Sequence, residues 1–336
     1  VESKIHGQSP TDTKMRSGRD IKFFGDIVKY DTDSNPFFSV ESNFDQKIIS
    51  GSGQSTGSFG VLQLDYYNGG QGHQNNTWYG FDAGKVHTTG QRNIAIGYAA
   101  MNDTDAGSTS LGSIDNIFMG YDAGGGTWTD AASNYNVGIG NYVMDAAMAG
   151  ASNNTAIGHF ALGAVTEGDS NTGLGYYAGA SVTTGTYNIQ IGAEAYGAST
   201  GNYNITIGYR AMLTSKVLDN NVAIGHLSQQ YIGVGGSGHN ISIGKESLMG
   251  SSAGGAGSYN IAMGYRTGYT LTTGGNNIIF GHTAGNALKT GGGNILLGSY
   301  AGQQALGSNS INIGYESGQF VSGSNNVFIG GGAGKS

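Results

Sequence analysis

The stretch "SYNIAMGYRTGYTLTTGGNNIIFGHTAG", residues 258–285, contains one short pattern twice. The first copy runs from Asn260 to Gly264, and the second begins 17 residues later at Asn277 and ends at Gly281. In each copy an apolar residue follows the Asn, another precedes the Gly, and a small residue lies three positions beyond the Gly. The regular recurrence favours a structural repeat over a cofactor-binding glycine loop, which needs a strand–loop–helix unit around it.

The pattern recurs throughout residues 76–336, and most copies lie 16 or 17 residues apart. The copies begin at Asn76, Asn93, Asn116, Asn136, Asn154, Asn171, Asn188, Asn204, Asn221, Asn240, Asn260, Asn277, Asn294, Ser310 and Asn326. Stacked coils of this kind bury a continuous core that no single coil could bury alone. The sequence therefore predicts an all-β fold, a parallel β-roll or β-solenoid of about fifteen coils.

Each slot of the pattern has a structural interpretation. In "NIAIG" the alternation places Ile94 and Ile96 on one side of a short strand, and Asn93, Ala95 and Gly97 on the other. We expect the two isoleucines to fill the coil, and Asn and Gly to form its corners, where they tolerate left-handed backbone conformations. The same structural role is assigned to Asn188 and Gly192, Asn260 and Gly264, Asn277 and Gly281, and Asn294 and Gly298.

The residue between the two apolar positions is then expected to face outward. It is small or apolar in most copies and charged in none, as Ala95, Ala156, Ala262 and Ile279 illustrate. An uncharged outer face suits packing against a sister chain. The sequence therefore predicts a homo-oligomer, with a three-fold axis as the expected arrangement.

Two copies carry a family resemblance. Asn154-Thr-Ala-Ile-Gly158-His-Phe-Ala161, and the copy from Asn221 to Gly225, resemble the head repeat of trimeric autotransporter adhesins, the YadA-like head. The resemblance implies a homotrimer of left-handed parallel β-rolls. The coils here are longer than that family's, and nothing in the chain resembles the family's membrane anchor.

The N-terminal part carries a second resemblance. "DIKFFGDIVKYDTDSNPFFSVES", residues 20–42, and "IISGSGQSTGSFGVLQLD", residues 48–65, are similar to segments of tail fibres of marine bacteriophages, especially cyanophages. This resemblance implies a virion protein that works outside the cell. We assign residues 1–50 to an N-terminal β segment, residues 51–75 to a transition, and residues 76–336 to the β-roll array. The N-terminal segment either attaches the chain to other virion or fibre proteins or caps the array, and both interpretations fit.

The bulk composition excludes several classes of partner. The chain of 336 residues has a net charge of −7, and only 11% of its residues are charged, so we expect no nucleic-acid binding. It has no run of about 18 apolar residues, so we expect no membrane insertion. Cysteine is absent, which removes disulfides and thiolate metal sites. We expect no cofactor.

The sparse acidic residues favour structural roles over catalysis. Glu194 and Glu246 each occupy the second position after a motif glycine, and the same position of the following coil holds Arg210 and Arg266. These residues predict Glu–Arg pairs between stacked coils. We therefore expect no enzymatic activity. A polysaccharide-cleaving tailspike is kept as an alternative, because glycoside hydrolysis needs only two well-placed carboxyl groups.

Other candidates for chemistry have simpler structural explanations. Three acidic residues of the longest insertion could bind Ca²⁺, although a solvated loop is favoured. Three histidines share the position after the motif glycine and could bind a metal only through symmetry copies, and three aromatic residues occupy one slot on successive coils. The acids are Asp103, Asp105 and Asp115; the histidines are His159, His226 and His282; the aromatic residues, predicted to stack, are Tyr142, Phe160 and Tyr177.

Coils that exceed the usual spacing are the better candidates for recognition. Loops on a rigid scaffold are where binding usually resides, and the long coils contain Trp128, Tyr135 and Tyr231. These aromatic residues either contact a receptor glycan or fold back as hydrophobic plugs. The leading hypothesis is a non-enzymatic adhesive fibre, the shaft or head of a phage tail fibre that contacts a glycan or protein of the bacterial surface. A bacterial cell-surface trimeric adhesin is the alternative.

Overall fold

The computed structural model describes residues 75–335 apart from 88, 105–111, 130, 197–198, 214–217, 232–237, 251–256 and 305–306. All of these residues belong to one unit of the chain, Gln63–Ser336. The predicted N-terminal segment, residues 1–50, and nearly all of the transition, residues 51–75, lie outside the described residues.

The described residues form a parallel β-solenoid without a helix. Each coil contributes one three-residue strand, and the fifteen strands form one parallel sheet in sequence order. Every strand begins one residue after a predicted Asn or Ser, so the predicted coil positions are confirmed. The strands are β1 (Thr77–Tyr79), β2 (Ile94–Ile96), β3 (Ile117–Met119), β4 (Val137–Ile139), β5 (Thr155–Ile157), β6 (Thr172–Leu174), β7 (Ile189–Ile191), β8 (Ile205–Ile207), β9 (Val222–Ile224), β10 (Ile241–Ile243), β11 (Ile261–Met263), β12 (Ile278–Phe280), β13 (Ile295–Leu297), β14 (Ile311–Ile313) and β15 (Val327–Ile329).

The strands pair residue by residue without a shift. Between β11 and β12, for example, Ile261 is opposite Ile278 and Ala262 is opposite Ile279. Neighbouring strands of a sheet lie about 4.8 Å apart. Equivalent side chains of all coils therefore form straight ladders along the array.

The predicted facing of the strand residues was wrong. Ala95, expected to face outward, is completely buried, whereas Ile94 and Ile96 remain partly exposed. The alternation was predicted correctly, but the inner and outer faces are exchanged along the whole sheet. The physical reason is space: a thin coil accommodates one inward strand residue per turn, and a small residue such as Ala156 fits there better than two β-branched ones.

The motif asparagines lie inside the coil and form an amide ladder. The backbone N and the Nδ2 of Asn277 both donate to Oδ1 of Asn260, at 3.0 and 2.9 Å, and Nδ2 also donates to the carbonyl of Gly291 at 3.0 Å. Equivalent bonds join successive coils along most of the array. Ser310, which replaces Asn in its copy, continues the series because its backbone N donates to Oδ1 of Asn294. These bonds satisfy most of the buried motif amides, as burial of polar groups requires, and Nδ2 of Asn240 is the exception in the series.

Left-handed backbone conformations recur at fixed positions beside each strand. The residue before the Asn has a positive φ, as at Asn276 (φ 61°), and so does the second residue after the Gly, as at Thr283 (φ 51°). The motif glycine itself adopts a φ that other residues rarely reach, 135° at Gly281. These residues turn the chain sharply enough to close a coil of 16 or 17 residues.

The apolar core is interrupted in the middle of the array. One cluster of buried side chains surrounds Phe118 and Trp128, and a second surrounds Ile279 and Leu296. Between them the inward strand residues are Gln190 of β7 and Thr206 of β8, both fully buried. The β7 coil contributes no side chain to either cluster, whereas the β8 coil contributes Met212 and Leu218 to the second one.

Candidate functional site

The outer face of the sheet is a long apolar surface. We call the first and last residues of the fifteen strands the outward strip; 27 of these 30 residues are apolar or aromatic, three are Thr, and none is charged. Many are substantially exposed, for example Ile157 (43%), Ile278 and Phe280. The strip extends for roughly 70 Å along the array at the usual strand spacing.

The size and continuity of the outward strip set it apart from an ordinary surface. Soluble monomers rarely expose contiguous apolar patches larger than a few hundred Å², and two ladders of this length, roughly 7 Å apart, reach about 500 Å² in projection. The strip holds no buried or exposed charge that would orient a polar ligand. An uncharged apolar surface of this kind suits packing against another apolar surface.

Exposed aromatic rings form two further rows. The corner row consists of the residues directly after the motif glycines; in it Tyr98 stacks between Phe81 and Tyr121, with ring centroids 5.5 and 5.1 Å apart. The second row consists of the residues directly before the motif asparagines; in it Tyr187 and Tyr203 stack at 5.1 Å. Stacked rings cover one another's faces, so a continuous row presents mainly ring edges to the solvent.

Trp128 does not occupy the position of a receptor contact. Its side chain is only 1% exposed and packs edge to face against Phe118 at a centroid distance of 5.8 Å. The backbone N of Trp128 donates to the carbonyl of Asp103 at 3.0 Å, which fixes the long coil over the core. Trp128 is therefore the hydrophobic plug that the sequence left open as the second interpretation, and its proposed contact with a receptor was wrong.

The other two predicted contact residues lie nearer the surface. Tyr135 precedes a motif Asn, adopts a positive φ of 58° and is exposed. Tyr231 is half-buried and forms a parallel bridge with Gly250, its backbone N donating to the carbonyl of Met249 at 2.8 Å. The structure does not bring Tyr135 and Tyr231 together, because β4 and β9 are separated by four strands.

The structure brings both predicted Glu–Arg pairs together. Arg210 Nε lies 2.6 Å from Glu194 Oε2, and Arg266 Nε lies 2.5 Å from Glu246 Oε2. These hydrogen bonds raise the pKa of each guanidinium. The two acids lie on β7 and β10 coils, three strand spacings or roughly 14 Å apart, which is wider than the roughly 5–10 Å between the carboxyl groups of glycosidases.

The predicted metal candidates have other partners. Asp103 accepts a hydrogen bond from Thr127 at 2.6 Å and Asp115 pairs with Arg92 at 2.7 Å, while Asp105 lies outside the described residues. Among the residues that the structure describes, no group of three His, Cys, Asp or Glu side chains could hold a metal ion.

The three histidines stack with tyrosines of the corner row instead. His159 stacks with Tyr176 at 5.6 Å, and equivalent contacts join the two remaining histidines to their neighbours on adjacent coils. Within the predicted aromatic slot, Phe160 stacks with Tyr177 at 5.0 Å and is tilted against Tyr142 at 6.3 Å. These rings form a continuous stack across three coils, as predicted.

Two acids that the sequence did not single out have perturbed titration. Burial, together with a smaller contribution from the charge of Asp122 on the preceding coil, raises the pKa of Asp145 to about 6. Burial also raises the pKa of Asp122. The sequence shows only that two adjacent coils each carry an acid. It does not reveal how deeply either side chain is buried.

The fold defines a class, the parallel β-solenoids with one short strand per coil. The described part of the chain contains no helix that could span a membrane. A scan of family models and searches of curated proteins and solved structures found no match to this chain. The function must therefore be argued from the surfaces described above.

Proposed function

We propose that the chain is a non-enzymatic adhesive fibre that works as a homotrimer, with the outward strips of three copies facing a common axis. The observation that carries this proposal is the uncharged apolar strip along all fifteen strands. A second copy is the occupant that matches the strip best, because only another array with the same coil spacing can match ladders of this length strand by strand. The proposed trimer has left-handed coils, in keeping with the resemblance of its repeats to YadA-like heads.

In this proposal the fibre belongs to a phage tail and contacts a glycan or protein of the bacterial surface. Its support is the similarity of residues 20–65 to tail-fibre segments, together with a rigid array whose long coils and aromatic rows remain outside the strip. Residues 1–50 would join it to other virion or fibre proteins. Neither a cofactor nor nucleic acid takes part. A bacterial cell-surface adhesin would use the same strip in the same way.

Light scattering of the purified full chain tests the assembly. We expect the mass of three 34.4 kDa chains, about 103 kDa. Ile207→Glu, which places a charge on the strip, should reduce the mass to that of one chain, because an unpaired charge in an apolar interface is strongly unfavourable. The matched control is Tyr203→Glu, an exposed residue just before β8 and off the strip, which should leave the trimer intact. A monomeric wild-type chain would overturn the proposal.

Two further measurements separate the alternatives. Co-purification of the chain with virions supports the tail fibre, whereas its recovery from bacterial envelopes supports the cell-surface adhesin. Release of reducing ends from surface polysaccharide by the purified chain would instead establish the tailspike alternative and contradict a non-enzymatic role.

A further inference from the structure

At Ala193 the corner row is interrupted, and Tyr176 has no ring of the following coil stacked on it. His159 covers one face of Tyr176, with centroids 5.6 Å apart and planes 22° apart. The next coil supplies Ala193 at the same position, so it offers no ring to stack on Tyr176, and the adjoining Tyr177 is tilted against Tyr176 by 55°. With 53% of its surface exposed, Tyr176 is a platform at the end of a stack.

Two other interruptions of the corner row are filled. Where Asn141 interrupts it, Tyr142 of the same coil contacts Tyr121 at a centroid distance of 5.2 Å. Where Lys245 interrupts it, its ammonium group lies 5.9 Å from the ring centroid of Tyr265. The opening at Ala193 differs from these two interruptions, because neither a ring nor a cation of the β7 coil covers Tyr176.

A hollow of about 230 Å³ lies at this opening. It is lined by Tyr176, Tyr177, Glu194, Tyr196 and Leu213, which come from three successive coils. Pockets for drug-sized ligands measure roughly 300–1,000 Å³, so this hollow fits a single small ring. Its middle coil, that of β7, contributes no side chain to either apolar cluster.

The lining combines an apolar ring face with fixed polar groups. Arg210 holds Glu194 through a hydrogen bond of 2.6 Å from Nε to Oε2, and the guanidinium also lies over the ring of Tyr209 at 5.0 Å. The carboxylate is thus held in place by a side chain that is itself restrained. Oε2 already accepts this bond, so Oε1 is the oxygen left to accept hydroxyl groups, and a carboxylate oxygen can accept from two donors.

This chemistry selects among ligands. A carboxylate accepts hydrogen bonds only and repels phosphate and other anions. A pyranose ring offers an apolar C–H face for the tyrosine and several hydroxyl donors at its edge. Aromatic faces with a few fixed polar groups are the usual composition of small-ligand sites.

We propose that this hollow binds one uncharged pyranose unit of a polysaccharide, with its C–H face on Tyr176 and its hydroxyls donating to Glu194. The assignment rests on the proposed function, since it names the kind of surface molecule that the fibre would recognise. The repeat supplies the scaffold, and the replacement of a ring by Ala193 in the corner row opens the site.

Saturation-transfer NMR of the full chain tests this site with four probes: the methyl glycosides of glucose, galactose, mannose and N-acetylglucosamine. We expect transfer from tyrosine protons to the ring C–H protons of at least one probe. Tyr176→Ala should weaken binding at least about tenfold, a change typical of losing one stacking platform, whereas Tyr176→Phe should retain it. Glu194→Gln, which removes a strong acceptor, should also weaken binding.

Tyr98→Ala is the matched control. Tyr98 belongs to the same row and is similarly exposed, at 49%, but neighbouring rings stack on both of its faces. Its removal should leave sugar binding unchanged. The site is contradicted if no probe receives saturation from the wild-type chain, or if Tyr176→Ala and Tyr98→Ala reduce transfer equally.

Host-cell adsorption and light scattering keep this test separate from that of the proposed function. If the chain is a trimer that adsorbs to host cells but binds none of the four sugars, the sugar site is contradicted and the adhesive fibre remains supported. If the chain is a monomer that binds a probe through Tyr176, the trimeric fibre is contradicted and the sugar site remains supported.

Discussion

Glycine and asparagine specify this fold through positions that no other residue fills well. The motif glycine combines an extreme φ with a backbone approach from the next coil, and the Asn amide satisfies groups above and below it. Both requirements belong to one coil, so the Asn and the Gly occur at a fixed distance from each other within each copy of the pattern. This is why the position of every coil could be predicted without knowledge of the three-dimensional structure.

The glycine requirement predicts a large cost for adding one methyl group. At Gly281, with φ 135°, a Cβ would lie 2.5 Å from the carbonyl oxygen of Gly298. We expect Gly281→Ala to destabilise the array by about 2–5 kcal/mol, because backbone strain and overpacking each cost about 1–3 kcal/mol. Thermal and urea unfolding followed by circular dichroism measure the change.

Gly331→Ala is the control for this prediction. Gly331 has no positive φ, and the nearest atom to an added Cβ is the carbonyl oxygen of Tyr315 at 4.0 Å. It should unfold within about 0.5 kcal/mol of the wild type, as ordinary surface changes do. Equal losses at Gly281 and Gly331 would contradict the role assigned to the motif glycine.

The partly buried acid Asp145 predicts a stability that rises as the pH falls. Its pKa of about 6 in the folded chain lies above the ordinary 3.8 of the unfolded chain, so the folded state binds more protons between these two values. Stability should therefore increase as the pH falls from 7 through 6 toward 4. Asp145→Asn should raise the melting temperature at pH 7 and lose this pH dependence.

The same melting curves recorded for Glu167→Gln control for the change of net charge, since Glu167 is an exposed acid. That variant should keep the wild-type increase between pH 7 and pH 4. A wild-type chain whose melting temperature falls steadily over this range would show that the unfavourable burial of Asp145 does not govern its stability.

A three-residue strand has too little sequence to reveal which face is inside. In β5, alternation is equally satisfied with Ala156 inside or with its two neighbours inside, and hydrophobicity alone favours the wrong choice. The decision depends on how closely the rest of the coil approaches the strand. Likewise, the length of the coil around Trp128 predicted a protruding loop, whereas the large apolar ring is covered by that coil.

The exchanged faces can be tested within one strand. Ala156→Asp places a charge in the fully buried interior and should prevent the array from folding, because no partner compensates the charge there. Ile157→Asp places the same charge on the outward strip and should leave the β signal in circular dichroism while reducing the mass in light scattering. The reverse result would restore the facing expected from the sequence.

At the scale of the whole molecule, stability is the sum of many similar contacts between neighbouring coils. The chain passes through the coils of such an array in order, and each coil interacts only with the coils directly before and after it. The apolar core is divided into two clusters, and the β7 coil with its buried Gln190 lies between them. No signal in the repeat pattern itself marks this division, because Gln190 occupies a position that tolerates almost any uncharged residue.

The chemistry of the strip predicts an assembly that is insensitive to salt. An association between uncharged ladders lacks the Coulomb terms that salt screens over about 10 Å at 0.1 M and about 3 Å at 1 M. We expect the mass of the full chain to stay constant between about 0.05 and 1 M NaCl. Dissociation at high salt would indicate that charged side chains beside the strip, rather than the strip itself, hold the copies together.

Because the strands pair in register, the number of coils sets the distance between any two positions along the solenoid. The long coils occur in two groups, after β2 and β3 and after β9 and β10, with spacings of 23, 20, 19 and 20 residues. Since each coil adds one strand spacing of about 4.8 Å, the distance between these groups is set by the number of ordinary coils between them. Duplicating or deleting one such coil would change the distance between the two groups by a fixed step without altering either group. The spacing of the long coils and the contacts that they make can therefore change independently.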